Sequence, residues 1–174
     1  MLSSGIQSRL NEQIQMEAFA SHAYLSLATW AETRNLPNIA QYFYLASDDE
    51  RSHMLQLYRY VNENGGAAAL NHKMDAPKQD FKNVLEVFRY VFELEHGVTV
   101  AINELATWCL QNGEHATFFF LQAFVAEQQQ SERNVGDLIS MIERMGYEER
   151  NLYYLDKTFK KINLGAGAEE GPAQ

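Results

Sequence analysis

Residues 39–60 read IAQYFYLASDDERSHMLQLYRY, and one set of positions in this stretch recurs at alternating steps of three and four. That spacing is typical of the inward face of an α-helix. The positions are Ile39, Phe43, Ala46, Glu50, His53, Leu57 and Tyr60. The face is apolar toward both ends and polar at its middle, so the stretch predicts a long helix that carries a carboxylate and an imidazole into a protein core.

Three other stretches have the same period, and each is interrupted by polar residues near its middle. The interruptions are Glu17 in the stripe from Leu10 to Ala31, Glu95 in the stripe from Val84 to Cys109, and Gln128 with Ser131 in the stripe from Leu121 to Met145. Strand-like alternation is nowhere sustained. The sequence therefore predicts an all-α protein in which four helices pack with these faces inward.

The connections between the stripes predict the topology. A turn of a few residues at Pro37 makes the first two helices antiparallel neighbours. Residues 65–81 have no helical period, and 17 residues could span roughly 55 Å, more than the roughly 40 Å length of a helix of about 27 residues. This long crossover between helices two and three can return the chain to the other end of the bundle, so the third helix should run parallel to the second.

The C-terminal part predicts one short fifth helix, because residues 151–162 have apolar side chains at helical spacing. Residues 165–174 contain nothing large and apolar, so we expect a disordered tail there. We therefore expect one domain, a four-helix bundle with a short fifth helix, over residues 1–164.

The four interruptions should meet at one depth in the core. Three unpaired buried carboxylates, those of Glu17, Glu50 and Glu95, would repel one another, and no Lys or Arg lies on the stripes. A single Glu in an apolar stripe often bends outward, but four interruptions in register favour a metal site. Two divalent cations would balance the charge, and one imidazole among carboxylates suits Fe(II) or Mn(II).

Three further residues lie near the predicted site or repeat its spacing. Tyr24 lies two turns after Glu17 on the same face, where it could contact a ligand carboxylate or be an ordinary core tyrosine. Glu93 and His96 repeat the Glu-x-x-His spacing of Glu50 and His53 but are out of phase with their stripe. We therefore interpret His96 as a solvated or interface residue.

Composition limits the partners. Lys and Arg total 14 against 23 Asp and Glu, so the formal net charge is −9 and no general attraction to nucleic acid or to an anionic membrane is expected. The only cysteine, Cys109, excludes an internal disulfide and fits a reducing compartment. The first residues have no apolar signal-like run, and no apolar run is long enough for a membrane span, so we expect a cytoplasmic protein.

These residues resemble the ferritin family, and in particular its bacterial non-haem type. The resemblance rests on Glu17, Tyr24, the Glu50-x-x-His53 pair, Glu95 and Gln128, with the local sequences 10–13 (LNEQ), 49–54 (DERSHM), 75–77 (DAP), 102–105 (INEL), 120–122 (FLQ) and 127–128 (EQ). It implies a ferritin-like bundle in which Glu17, Glu50 and His53 hold one iron. Glu50, Glu95 and Gln128 would surround a second, and Tyr24 would lie beside the centre.

The chain also departs from the patterns of ferritin-like families. Bacterioferritins and di-iron oxygenases have a second Glu-x-x-His on the fourth helix, where this chain has Gln128 and Ser131. The position of the bacterioferritin haem-binding methionine is Arg51, so no haem is expected. Bacterial ferritins often have a third iron site from fourth-helix glutamates, and Gln130 and Ser131 stand at those positions.

The resemblance implies a ferroxidase subunit of an iron store. Two iron ions per subunit would be bound as transient substrate, oxidised by O2 or H2O2, and deposited as mineral inside a homo-oligomeric 24-mer. Two alternatives remain open at this stage: a catalytically passive subunit of an iron cage, and a di-iron oxidoreductase that retains its iron as a cofactor.

Apolar residues off the stripes predict subunit contacts. Residues 118–120 are three consecutive phenylalanines that cannot all face one core, and Leu25, Leu27 and Trp30 lie beside or behind the first stripe. Because a monomer would expose them, we expect an oligomer. The acidic channel positions of animal ferritins correspond to Phe118 and Leu121, so iron entry by that route is not expected.

Overall fold

The structure is a computed structural model that describes residues 2–71 and 73–169, with side chains as far as residue 165. The described residues contain five helices and no strand. The helices are α1 (Ser4–Glu32), α2 (Pro37–Glu63), α3 (Val84–Gln111), α4 (His115–Met145) and α5 (Glu149–Glu169). The expected all-α class and the four long helices are confirmed.

The helices end where local backbone chemistry predicts. Pro37 occupies the first turn of α2, where its missing N–H costs nothing. The side chain of Asn83 accepts a hydrogen bond from the backbone N–H of Glu86 and caps the start of α3. Gly113 and Gly146 follow α3 and α4 with φ of 73° and 80°, a region that glycine adopts without strain.

Contacts between helix ends establish the topology. The backbone N–H of Leu2, before α1, donates to the carbonyl of Asn64, after α2, so α1 and α2 are antiparallel. Arg9 near the start of α1 lies 5.0 Å from the ring centroid of Trp108 near the end of α3, so these two helices are antiparallel as well. The third helix therefore runs parallel to the second, as the long connection predicted.

Helix α5 packs against the N-terminal end of α2. The buried carboxylate of Asp156 accepts hydrogen bonds from the backbone N–H groups of Asn38 and Ile39, which are among the unpaired donors at the start of α2. Leu155 and Phe159 are fully buried. The backbone remains helical to Glu169, beyond the expected end at residue 162, so residues 165–169 of the expected disordered tail continue the helix that the packed part of α5 begins. Residues 170–174 of the expected tail lie outside the described residues.

The core consists of two apolar clusters. One surrounds Phe43, Phe88 and Phe159, and the other contains Leu10 and Leu121. Along every long helix the sequence passes from one cluster to the other through buried polar residues. These residues are Gln13, Glu17, Ser21, Ser47, Glu50, Glu95 and Gln128. A polar layer therefore divides the bundle near mid-height, and it is the layer that the interrupted stripes predicted.

One expectation about surface residues is wrong in part. Leu27 and Trp30 are buried within the chain itself, at 0% and 5% exposure, so they do not require a partner subunit. Trp30 packs edge-on against Phe81 of the long connection and donates its indole N–H to the Phe81 carbonyl. The periodicity of α1 could not reveal this contact, because the crossover that covers Trp30 has no periodic pattern.

Candidate metal centre

Four helices each contribute to the polar layer. Glu17 comes from α1, Glu50 and His53 from α2, Glu95 from α3 and Gln128 from α4. All except the half-buried His53 are at most 5% exposed. The helical stripes turn these side chains inward because their apolar neighbours one turn away must be buried. The five residues named from the sequence as iron ligands therefore lie in one layer of the core.

Glu17, Glu50 and His53 form the part of the centre that could hold a metal directly. One ligand atom from each lies within 4.8 Å of the other two. Nδ1 of His53 is 3.3 Å from Oε2 of Glu50. Oε1 of Glu17 accepts a hydrogen bond of 2.7 Å from the Gln13 amide, whereas its buried Oε2 has no hydrogen-bond partner. A buried carboxylate oxygen without a donor is costly, and a bound cation would satisfy it.

Glu95 is arranged differently, because both of its carboxylate oxygens already accept hydrogen bonds. The Tyr24 hydroxyl donates to Oε1, and Nε2 of Gln128 donates to Oε2 at 2.7 Å and to the Glu95 backbone carbonyl at 3.0 Å. Tyr24 therefore contacts a candidate ligand, which was one of its two interpretations. The remaining lone pairs of the Glu95 carboxylate and the carbonyl oxygen of Gln128, which does not take part in these hydrogen bonds, are the atoms that could hold a second metal.

The electrostatics of the layer oppose an ionised, metal-free state. Burial, together with the nearby Glu50 carboxylate, raises the pKa of Glu17 well above its usual value. Burial and the Glu95 charge raise the pKa of Glu50 to about 8. Burial also raises the pKa of Glu95, although the hydrogen bonds from Tyr24 and Gln128 oppose that shift. At neutral pH the metal-free layer therefore holds protons, which a cation would displace.

A cavity of about 800 Å³ opens onto this layer between α2 and α4. Glu50, His53 and Glu95 line its inner end, and Asp49 and Glu127 lie around it. None of the described residues that line it is Lys or Arg. The cavity can therefore admit a hydrated cation, and no lining side chain with a permanent positive charge competes for the carboxylates.

The other residues singled out from the sequence lie on the surface, along the cavity or in the apolar core. Glu93 and His96 are exposed, and His96 contacts Glu132 on α4, so the second Glu-x-x-His lies outside the centre as predicted. Gln130 is exposed and Ser131 is half-buried; both line the cavity and offer no carboxylate for a third site. Phe118 is half-buried and Leu121 is fully buried.

Sequence reasoning missed two residues beside the centre. Gln13 is 2% exposed and donates a hydrogen bond to one oxygen of Glu17. Its position one helical turn before Glu17 could have indicated this contact from the sequence. Tyr42 lines the cavity, and burial together with the charges of Glu95, Asp49 and Glu50 raises its pKa well above the usual tyrosine value. No stripe position indicated Tyr42, because it lies beside Phe43 rather than in phase with it.

The sequence profile of the Ferritin-like domain matches residues 7–145, which include α2, α3, α4, all but the first three residues of α1, and every candidate ligand. The chain belongs to the ferritin family. No described helix of this ferritin is long and apolar enough to cross a membrane.

Individual relatives agree with this assignment. This ferritin is 32% identical to a bacterial non-heme ferritin of Campylobacter jejuni over 94% of its own length and 98% of that protein. It is 32% identical to a bacterial non-heme ferritin of Staphylococcus aureus, over 90% and 94% of the two chains. Among solved structures, an open pore ferritin from Archaeoglobus fulgidus superimposes with a TM-score of 0.87 at 30% identity, covering 91% of this chain and 97% of that one.

Proposed function

We propose that this ferritin is the ferroxidase subunit of an iron store: it binds Fe(II), oxidises it to Fe(III) and passes it to a mineral inside an oligomeric shell. The observation that carries the proposal is the buried group of Glu17, Glu50 and His53, in which one carboxylate oxygen has no hydrogen-bond partner. In a ferritin, the cation that such a group would take is iron.

Glu17, Glu50 and His53 would bind the first Fe(II). Glu50 would bridge to a second Fe(II) held by Glu95 and Gln128, so the paired metals would lie roughly 3.5 to 4 Å apart. Tyr24 would orient Glu95 through the hydrogen bond that it already makes. The chain would hold the two ions close to each other and leave some of their coordination positions open to the oxidant.

Electrons and protons balance in the oxidation. Two Fe(II) ions each give one electron to O2, which takes up two protons and leaves as hydrogen peroxide. Protons that Fe(II) displaces from Glu17 and Glu50 on binding are released beside the site, so the same layer supplies the acid that the reduction consumes. Hydrogen peroxide can replace O2 as the oxidant, in which case it takes the two electrons and two protons and leaves as two water molecules.

Product release depends on the neutral ligand from α4. An amide such as that of Gln128 binds Fe(III) more weakly than a carboxylate would, because it carries no charge. Gln128 also has an alternative hydrogen-bonded state with Glu95 to which it can return. Both features favour iron that passes through the centre over iron that stays as a cofactor.

The shell is part of the same proposal. Large apolar side chains remain exposed on the single chain, with Phe119 81% and Leu164 69% exposed. Such residues are natural contacts between copies. We propose a homo-oligomer, a 24-mer, located in the cytoplasm. Leu25 belongs to the same set at 44% exposure.

Fe(II) titration under anaerobic conditions, followed by rapid mixing with O2, tests the proposal. We expect two Fe(II) per chain, a fast absorbance rise from Fe(III), and ferric iron that leaves the site and allows further turnovers. Native mass spectrometry of the same sample reports the chains per particle. A shell without the fast phase would indicate a passive cage subunit, and iron that stays at two per chain through chelator dialysis would indicate an oxidoreductase.

A further inference from the structure

The two oxygens of the Glu17 carboxylate have different surroundings. Oε1 accepts a hydrogen bond of 2.7 Å from Nε2 of Gln13, whereas the buried Oε2 has no hydrogen-bond partner. Glu95, the inward carboxylate of α3, instead accepts hydrogen bonds at both of its oxygens. Oε2 of Glu17 therefore keeps all of its lone pairs for a further contact.

The contact between Gln13 and Glu17 is local to α1 and buried. Gln13 lies four residues before Glu17, so the two side chains lie on the same face of the helix. On a helix surface such a contact is weak, because water competes for both groups. Here each residue is only 2% exposed, and in a water-poor interior the hydrogen bond is stronger and its loss is costly. The contact can therefore fix the rotation of the Glu17 carboxylate.

The amide of Gln13 is chemically suited to this position. A carboxylate that binds a metal is ionised and can only accept hydrogen bonds, so its partner must be a donor such as the amide N–H. The amide carries no charge. It therefore does not repel a cation, as a lysine would, and it does not add a fourth carboxylate to the layer, as a glutamate would.

We propose that Gln13 is a positioning residue that holds Oε1 of Glu17 and so presents Oε2 to the first metal. The inference rests on the proposed function, since it takes Glu17 as a metal ligand. Gln13 acts through Glu17 and does not touch the metal. Hydrogen-bond partners of this kind keep a ligand in the orientation that binding requires.

Anaerobic Co(II) titration of the whole protein, followed by visible absorption, tests the proposal without relying on oxidation. Gln13→Met keeps a side chain of similar length but removes the donor, and it should weaken the first Co(II) equivalent by about 10- to 100-fold, the usual range for losing the partner of a ligand. Gln13→Leu removes the same donor with a side chain of another shape. It should show the same loss, and it decides the question if Gln13→Met does not fold.

Gln122 provides a matched control. Its Nε2 donates a hydrogen bond of 3.0 Å to the carbonyl of Phe118, four residues earlier on α4, and Gln122 is exposed. Gln122→Met therefore removes a glutamine donor from a contact of the same spacing outside the centre. This variant should bind Co(II) as the unmodified protein does.

A double substitution shows whether Gln13 acts through Glu17. If it does, adding Gln13→Met to Glu17→Ala should not weaken the remaining Co(II) binding further, because the carboxylate that Gln13 orients is already absent. A residue that only supports the packing of α1 would weaken binding with or without Glu17. Thermal midpoints of all variants, measured without metal, report such a packing effect separately.

Several outcomes would overturn the inference. An unchanged first equivalent in a folded Gln13→Met or Gln13→Leu variant would show that Glu17 needs no such partner. A further loss in the Glu17→Ala background, or an equal loss in Gln122→Met, would indicate a general structural effect. If the unmodified protein binds Co(II) but does not oxidise Fe(II), the ferroxidase proposal fails while the titration still decides the role of Gln13. No Co(II) binding at all would contradict both.

Discussion

Replacing Glu50 with alanine should slow Fe(II) oxidation by more than about 100-fold, which exceeds the usual effect of losing a residue that only contacts a metal ligand. The reason is that Glu50 would contact both proposed metals, because it lies in the cluster with Glu17 and His53 and its pKa responds to the charge of Glu95. Its loss removes a ligand from each ion and the bridge between them. Stopped-flow absorbance of ferric iron after mixing with O2 measures the effect.

Glu93→Ala is the matched control for that substitution. Glu93 stands three residues before a histidine, as Glu50 does, but it is exposed on the surface of α3. Its replacement should leave the oxidation rate and the thermal midpoint unchanged. A rate for Glu50→Ala within a few-fold of the unmodified protein, in a shell that remains assembled, would show that oxidation occurs elsewhere.

Raising the pH from 6 to 9 should destabilise the metal-free protein, and Glu50→Gln should reduce that effect. The folded-state pKa of Glu50 is about 8 against a usual value of 4.5, so between these values the folded chain binds more protons than the unfolded chain. The free energy of unfolding therefore falls as pH rises through this window and levels off above it. The loss attributable to Glu50 should be of the order of a few kcal/mol per chain.

Thermal midpoints of the metal-free protein at pH 6 and pH 9 measure this dependence. Glu50→Gln replaces the carboxyl with a neutral group of the same size, so its midpoint should fall less than that of the unmodified protein. Glu93→Gln, a change at an exposed site, should behave as the unmodified protein. A metal-free protein that is equally stable at both pH values would contradict the raised pKa of Glu50, which burial and the Glu95 charge produce.

The sequence predicted the architecture because its main determinants are periodic or local. Glu50, Glu95 and Gln128 were located by their phase with apolar neighbours, and phase alone determines which side of a helix faces the core. The crossover was predicted by length, since a short loop could not produce parallel helices. Helix ends followed from Pro37 and from glycines that adopt positive φ.

What the sequence could not predict depends on side-chain geometry and non-periodic contacts. Phase places Glu17 and Glu95 in one layer, but it cannot show that Glu17 keeps an oxygen free while Tyr24 and Gln128 occupy both oxygens of Glu95. It also could not show that Phe81 covers Trp30, because the connection has no repeat. The helical extension of α5 to Glu169 likewise depends on continuation from a packed segment.

The asymmetry between the two halves of the centre has a functional meaning. Ligand atoms of Glu17, Glu50 and His53 lie within 4.8 Å of one another, whereas both oxygens of Glu95 already accept hydrogen bonds from Tyr24 and Gln128. A first ion would attract the Glu95 carboxylate and favour its release from Gln128. The arrangement therefore suits a centre in which Glu17, Glu50 and His53 bind the first ion and iron leaves from the side of the neutral Gln128 amide.

Anomalous X-ray diffraction at the iron edge, from crystals soaked in Fe(II) without oxygen, would show directly whether the polar layer binds iron. We expect an iron peak within bonding distance of Glu17, Glu50 and Nδ1 of His53, and a second, weaker peak between Glu50 and Glu95. Crystals that show these side chains in the same buried layer with no iron peak between them would contradict the proposed metal centre.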